Sequence, residues 1–274
     1  MNTKLLEEKA RDIRIGAINA VHAARSGHPG GSLSSADLLA YLYFYRMRGI
    51  DPSDPENPGR DRFVLSKGHC APGLYACLAE RGFFPREELL TLRHLGSRLQ
   101  GHPDMKGVPG VDMSTGSLGQ GVSAACGMAC AAKAKDEKYR VYTLLGDGEC
   151  EEGQVWEAAM FAAHYKLDNL IAFIDFNGYQ IDGSVTEVMN PTPIDEKFAA
   201  FGWYTAVADG HDFASIDAAV EKALTVKGCP TAIVLRTVKG RGVSFMENNY
   251  KWHGKAPNDA EYGQAIKDLE GGDR

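Results

Sequence analysis

Three observations predict an α/β fold with a mostly parallel sheet and helices on both faces. Apolar, strand-like runs alternate with amphipathic helical segments almost throughout the chain. Glycine-rich turns recur where a strand hands over to a helix. With 274 residues, 44% of them hydrophobic, the chain can bury one large core, and residues 1–274 read as a single domain. There is no internal repeat, low-complexity segment or long polar linker.

Residues 4–24 have helical spacing, with an apolar stripe through Leu6, Ile13, Ala17 and Val21 that ends at Ser26-Gly27. Ser34 or Ser35 can cap a next helix over 36–46, with Asp37 favourable in its first turn. Residues 49–61 are a loop dense in Pro and Asp. A short strand over 63–66 leads to a glycine turn and a helix near 72–81, followed by another helix at 86–94. Residues 100–118 are irregular and glycine-rich, and 120–135 form a small-residue helix. Two β-rich runs, Tyr139 to Leu145 and Leu170 to Phe176, flank a helix over 152–165. A strand at 204–208, a helix at 213–226 and a strand at 231–236 complete the pattern.

Charge and cysteine usage narrow the function class. A net charge of −6 argues against a nucleic-acid surface, and the basic residues are scattered; Lys133, Lys135 and Lys138 read as a solvated helix end. The six cysteines form no CxxC pair and suit reduced thiols, hence a cytoplasmic protein. Cys126 and Cys130 fit tight helix packing better than metal binding, and Cys150 is a candidate for oxidation. The charged N-terminus lacks the apolar core of a signal peptide. No run is long and apolar enough for a membrane span.

The most informative stretch is Gly146-Asp147-Gly148-Glu149 followed by Asn177. Each lies after a predicted strand, and parallel strands carry ligand sites at their carboxyl ends. Asp147 and Asn177 are therefore expected to face one crevice. A carboxylate, an amide oxygen and nearby carbonyls suit a hard cation such as Mg²⁺, with Ca²⁺ or Mn²⁺ as substitutes. The glycines let backbone approach a diphosphate, close to a helix start. A lone GDG is more often an ordinary turn; the spaced asparagine, the two strands and the helix between them favour a site.

Three histidines share a glycine-turn setting: His28 in SGHPGG, His69 in SKGH and His102 in GHPD. His253, between Trp252 and Gly254, is a fourth. Any one alone reads as a loop residue; together they suggest the lining of a crevice. A three-histidine zinc site is the rival, weakened by their wide separation. Neutral imidazoles exchanging hydrogen bonds with sugar hydroxyls fit better.

The run GDGECEEGQVWEAAMFAAHYKLDNLIAFIDFNGYQIDG, with SGHPGG, SKGH, GHPD and STGSLGQG, resembles the transketolase family of thiamin diphosphate enzymes. The resemblance implies the cofactors thiamin diphosphate and Mg²⁺, with Asp147 and Asn177 as side-chain metal ligands and Tyr179 giving a backbone carbonyl. It places Gly146, Gly148 and Glu149 on the cofactor-binding side. It implies that Gly116 and Leu118 meet the cofactor, with Ser117 standing where proline is frequent. His28 and His253 are implied near the reacting carbonyl oxygens and assist proton transfer. His102 is implied to contact a donor-ketose hydroxyl, and His69 to lie near diphosphate and substrate. Glu152 matches the family's interface glutamate, counted with the catalytic set, and Glu157 its acidic neighbour. Both also fall early in a helix, where acids are favoured in any case.

The resemblance spans the whole chain but only the first part of a transketolase. The expected activity is two-carbon ketol transfer from a ketose phosphate to an aldose phosphate. The glutamate that activates the aminopyrimidine and the sugar-phosphate arginines belong to the absent part. A chain that begins with Met and ends in the polar tail GGDR reads as a natural N-terminal subunit. It is expected to be completed by a separate C-terminal subunit, two copies of each, in the pentose phosphate pathway. Three alternatives stand: a subunit of a deoxyxylulose phosphate synthase-like or 2-oxo acid dehydrogenase-like enzyme, a catalytically silent cofactor-binding subunit, or a transketolase for unusual sugars.

Overall fold

The computed structural model describes residues 1–271. Its centre is a wholly parallel five-stranded sheet in the order β1-β2-β3-β5-β4. The strands are β1 (Arg62–Leu65), β2 (Val141–Gly146), β3 (Leu170–Phe176), β4 (Tyr204–Asp209) and β5 (Thr231–Arg236). The helices are α1 (Thr3–Ala24), α2 (Pro29–Ser34), α3 (Ala36–Tyr41), α4 (Ala71–Arg81), α5 (Gln120–Ala134), α6 (Gly153–His164), α7 (Val185–Val188), α8 (Ile194–Ala200), α9 (Phe213–Thr225) and α10 (Asp259–Glu270).

The near-continuous apolar strands follow from burial of both sheet faces. Tyr142, Leu144, Ile171, Phe173, Ile233 and Leu235 point into one core with residues of α1, α3, α4 and α9. The alternate residues Val141, Leu145, Ala172, Ile174, Ala232 and Val234 point into a second core with α5, α6 and α8. A smaller third cluster joins Ile18 and Leu33 to Val243, Met246, Trp252 and two residues of α10. It docks the C-terminal segment onto α1 and α2, which brings His253 back toward His28.

Four local expectations need correction. Neither Ser34 nor Ser35 caps a helix beginning at 36, because the chain already turns helical at Pro29. Ser35 Oγ instead bonds back to Gly31 O at 2.5 Å, and Ser34 Oγ bonds Asp175. The expected helix over 36–46 is α-helical only to Tyr41 and continues as a π turn over Leu42–Arg46. The segment at 86–94 is a short 3₁₀ turn, Arg86–Thr91; Leu92 leaves the helical region at ψ 128° and Arg93 is left-handed at φ 60°, which stops a helix there. Cys150 is 1% exposed, and burial pushes its thiol well above its ordinary pKa, so it is not the oxidisable residue expected.

Candidate active site

The carboxyl ends of the strands converge on one region. After β2, the Asp147 carboxylate accepts the Gly178 amide at 2.6 Å and the Gly148 amide at 2.8 Å, locking the 146–149 turn against the turn after β3. Asn177 Oδ1 accepts the Tyr179 amide at 3.2 Å. Its Nδ2 donates to Asp175 at 3.0 Å. Asp147 and Asn177 thus share the same crevice, as expected of neighbouring strand ends. Burial, and then the nearby Asp175, raise the Asp147 carboxyl to about 6. A buried carboxylate whose charge is so disfavoured fits a place where a cation belongs. With the Asn177 amide oxygen and the Tyr179 carbonyl beside it, this all-oxygen set suits Mg²⁺. Among the described residues no group of three or more His, Cys, Asp or Glu forms a metal site, so the four histidines do not make a zinc centre.

Three imidazoles meet. The His28 ring lies 5.2 Å from His69 and 5.5 Å from His253, and His69 stacks on His253 at 5.0 Å. Glycines permit the approach. A Cβ on Gly31 would sit 2.6 Å from Cys70 Sγ, and one on Gly30 would sit 2.9 Å from the Trp252 carbonyl oxygen. His102 stands to one side and is exposed, with its ring over Gly116 and its carbonyl accepting the Tyr75 hydroxyl at 3.0 Å. Burial, then Arg93, His102 and Lys239, depress His28 to about 4. Burial, then Lys239, His28 and Lys67, depress His253 to about 3. Burial chiefly depresses His69 and His102 as well. All four rings are therefore neutral at neutral pH. His28 Nδ1 is buried without a protein partner, as a group that serves a ligand would be.

The remaining predicted residues divide. Gly68 lets the turn bearing His69 approach the 115–116 backbone, since a Cβ there would lie 2.8 Å from the Gly116 nitrogen. Ser117 is exposed and Leu118 half-buried on the same loop. Glu149 is 2% exposed, and its carboxylate is occupied by Ser66 Oγ, the Gly119 amide and the Gly146 amide. It pins three segments together and does not face the crevice as a free acceptor. Glu152 is the exposed residue flanking α6 on its N-terminal side, and Glu157 is exposed on the same helix.

Sequence reasoning missed Lys67, Asp175, Lys239 and Arg93. Asp175 accepts from Lys67 Nζ, from Ser34 Oγ at 2.6 Å, from Asn177 Nδ2 and from Thr237 Oγ1. It thereby orients Asn177. Lys239 Nζ donates to the Tyr179 carbonyl at 2.9 Å and meets His253 Nδ1 at 3.0 Å. Arg93 Nη1 donates to Ser26 Oγ at 2.8 Å, and its Nε is buried without a partner. The available signals were a lone acid inside the apolar run LIAFIDF and a lysine just past a strand end.

A crevice of strand ends that gathers carboxylate, amide and carbonyl oxygens, glycine-lined backbone and neutral histidines is the kind of site a cofactor-dependent group-transfer domain presents. A family model described as transketolase, thiamine diphosphate binding domain, matches residues 6–271. The chain belongs to the transketolase family of thiamin diphosphate-dependent transferases. It is 47% identical over 265 residues to a 6-deoxy-6-sulfo-D-fructose transketolase subunit of Clostridium sp. (strain MSTE9), covering 97% of this chain and 96% of that protein. It is 48% identical over 251 residues to the transketolase of Mus musculus, covering 91% of this chain but 40% of that protein. The crystal structure of transketolase from Campylobacter jejuni superposes with a TM-score of 0.92 at 33% identity, covering 98% of this chain and 43% of that one. The chain thus spans about two fifths of these longer transketolases and nearly all of the Clostridium subunit.

Proposed function

We propose that this chain is the diphosphate- and metal-binding subunit of a two-chain transketolase, and that residues 1–274 are its single domain. The carrying observation is that Asp147, Asn177 and the Tyr179 carbonyl meet the histidine cluster at one set of strand ends. Support for the two-chain reading is the near-complete coverage of a relative that is itself named as a subunit. Asp147, Asn177 and the Tyr179 carbonyl would hold Mg²⁺, with Lys239 as a second cation facing the diphosphate. Gly116, Leu118 and the 146–148 turn offer backbone to the cofactor. Thiamin diphosphate supplies the carbanion chemistry of two-carbon transfer between a ketose and an aldose.

The histidines handle protons. Lys239 donates to His253 Nδ1, which leaves the ring proton of neutral His253 on Nε2. His28 offers an unpaired Nδ1. Neutral rings can both give and take hydrogen bonds at substrate hydroxyl and carbonyl oxygens. His102 serves a hydroxyl at the exposed edge, and His69 supports the other two by packing.

The completing chain supplies the aminopyrimidine-activating glutamate and the phosphate-binding arginines, with two copies of each subunit the simplest closed assembly. Its docking face is read at α6, where Met160, Phe161 and Tyr165 are 54%, 39% and 51% exposed beside Glu152 and Glu157. No helix among the described residues is long and apolar enough to cross a membrane. The reading places the enzyme in the cytoplasm, acting on sugar phosphates in pentose phosphate interconversion. The Clostridium relative's name favours a second reading, a sulfonated ketose as donor. Asp147→Ala should weaken Mg²⁺-dependent thiamin diphosphate binding about 100-fold or more in the assembled enzyme, as expected for a lost charged ligand. Calorimetry showing unchanged affinity would remove Asp147 from the site.

A further inference from the structure

His211 lies in the turn after β4, away from the histidine cluster, and its side chain is 11% exposed. The Val238 amide donates to its Nε2 at 2.8 Å. Nε2 therefore carries no proton, and in the neutral ring the proton sits on Nδ1. Nδ1 faces Asp37 Oδ2 at 2.6 Å. Burial opposes the Asp37 charge, but Arg14 and His211 hold its carboxyl below the usual range. Arg14 is anchored in turn by its Nε to the Leu33 carbonyl at 3.2 Å.

Val238 lies beyond the end of β5, where the sheet no longer supplies an acceptor for its amide. Thr237 before it donates to Asp175, and Lys239 after it reaches the Tyr179 carbonyl and His253. A half-buried amide beyond the end of a strand still needs a partner, and here the partner is an imidazole whose other nitrogen faces a carboxylate. We infer that His211 is a positioning residue: through the Val238 amide it fixes the backbone that aims the Lys239 ammonium at Tyr179 and His253. The inference rests on the proposed function only in taking Lys239 to face thiamin diphosphate.

Two substitutions separate the two ends of the ring. In His211→Gln the longer side chain can still present an acceptor to Val238. In His211→Asn the amide can reach Asp37 but falls short of Val238. Hydrogen exchange on the full chain should show the Val238 amide about tenfold or more faster in H211N and within about threefold of wild type in H211Q, the scale of one lost hydrogen bond. Affinity of the assembled enzyme for Mg²⁺–thiamin diphosphate should follow the same order. In a Lys239→Met background H211N should add no further loss, because the two act in series. Independent, multiplying losses would overturn the inference, as would unchanged Val238 exchange in H211N. Should H211N fail to fold, ¹⁵N resonances of the His211 ring in the wild-type chain decide: an unprotonated Nε2 coupled to the Val238 amide supports the inference, and a protonated Nε2 refutes it. A wild-type assembly that binds no thiamin diphosphate would refute the proposed function, while the exchange comparison still decides the role of His211.

Discussion

Replacing Lys67 with Met leaves the Asp175 carboxylate charged and buried without its cation. The two side chains are 2% and 1% exposed. Burial opposes both charges, yet their attraction holds Lys67 above and Asp175 below the ordinary range. After the substitution, Asp175 keeps three donors: Ser34 Oγ, Asn177 Nδ2 and Thr237 Oγ1. Removing one member of a buried pair costs about 3–5 kcal/mol, and the surviving hydrogen bonds place this case near 3. The Lys67→Met/Asp175→Asn double variant no longer buries a lone charge and should recover about half of that loss. Urea unfolding followed by circular dichroism measures both, with an unchanged m-value confirming that the same surface unfolds. A loss in Lys67→Met below about 1 kcal/mol, or a double variant less stable than Lys67→Met, would refute the view that this pair is held by mutual neutralisation.

Three further outcomes follow from the site. His102→Ala and His253→Ala should each lower kcat/KM for the ketose by about 100-fold or more while cofactor affinity changes little; full turnover in both would remove them from the chemistry. His28 and His253 fall from the usual 6.5 to about 4 and about 3. The unfolded chain therefore takes up protons that the folded chain refuses, and stability present above pH 6.5 is lost as pH falls toward 4 and 3. Thermal melts that stay flat between pH 7 and pH 4 would contradict those depressed values. The chain alone should show no ketol transfer, and a C-terminal partner should restore it with a change in mass by light scattering; robust turnover without a partner would end the two-chain reading.

Much of this architecture was legible because burial on both sheet faces writes itself as unbroken apolar runs. The span of β3 was read to the residue, and β2 and β4 differ by one or two positions at their ends. Asp147, Asn177 and His69 stand just past strand ends, where local pattern points to them; His28, His102 and His253 lie on turns away from the strands, and only the fold brings His28 and His253 to His69. Local competition defeated other readings. Ser34 has the chemistry of a helix cap, but Asp175 takes its hydroxyl from across the fold. Residues 86–94 have helical spacing, yet the left-handed Arg93 is needed to carry its guanidinium under Gly101. Asp175, Lys239 and His211 escaped for a different reason. Their roles depend on partners far off in sequence, with Lys67 108 positions from Asp175, Tyr179 60 from Lys239 and Asp37 174 from His211, which no local pattern encodes. Glu149 and Glu152 are near neighbours in one acidic run, and only packing shows that the first is buried and the second exposed.

The strand order carries a consequence for the protein as it leaves the ribosome. β5 inserts between β3 and β4 and is made after both of them. A nascent chain that has emerged through α9 can join β1, β2 and β3 but has no neighbour for β4. The edge of β3 stays open until β5 appears, and an open apolar edge invites pairing with other chains. The segment that closes this gap also brings Lys239 and then His253. Structural closure and the arrival of Lys239 and His253 thus fall within one stretch of synthesis, and a chain released before that stretch lacks both.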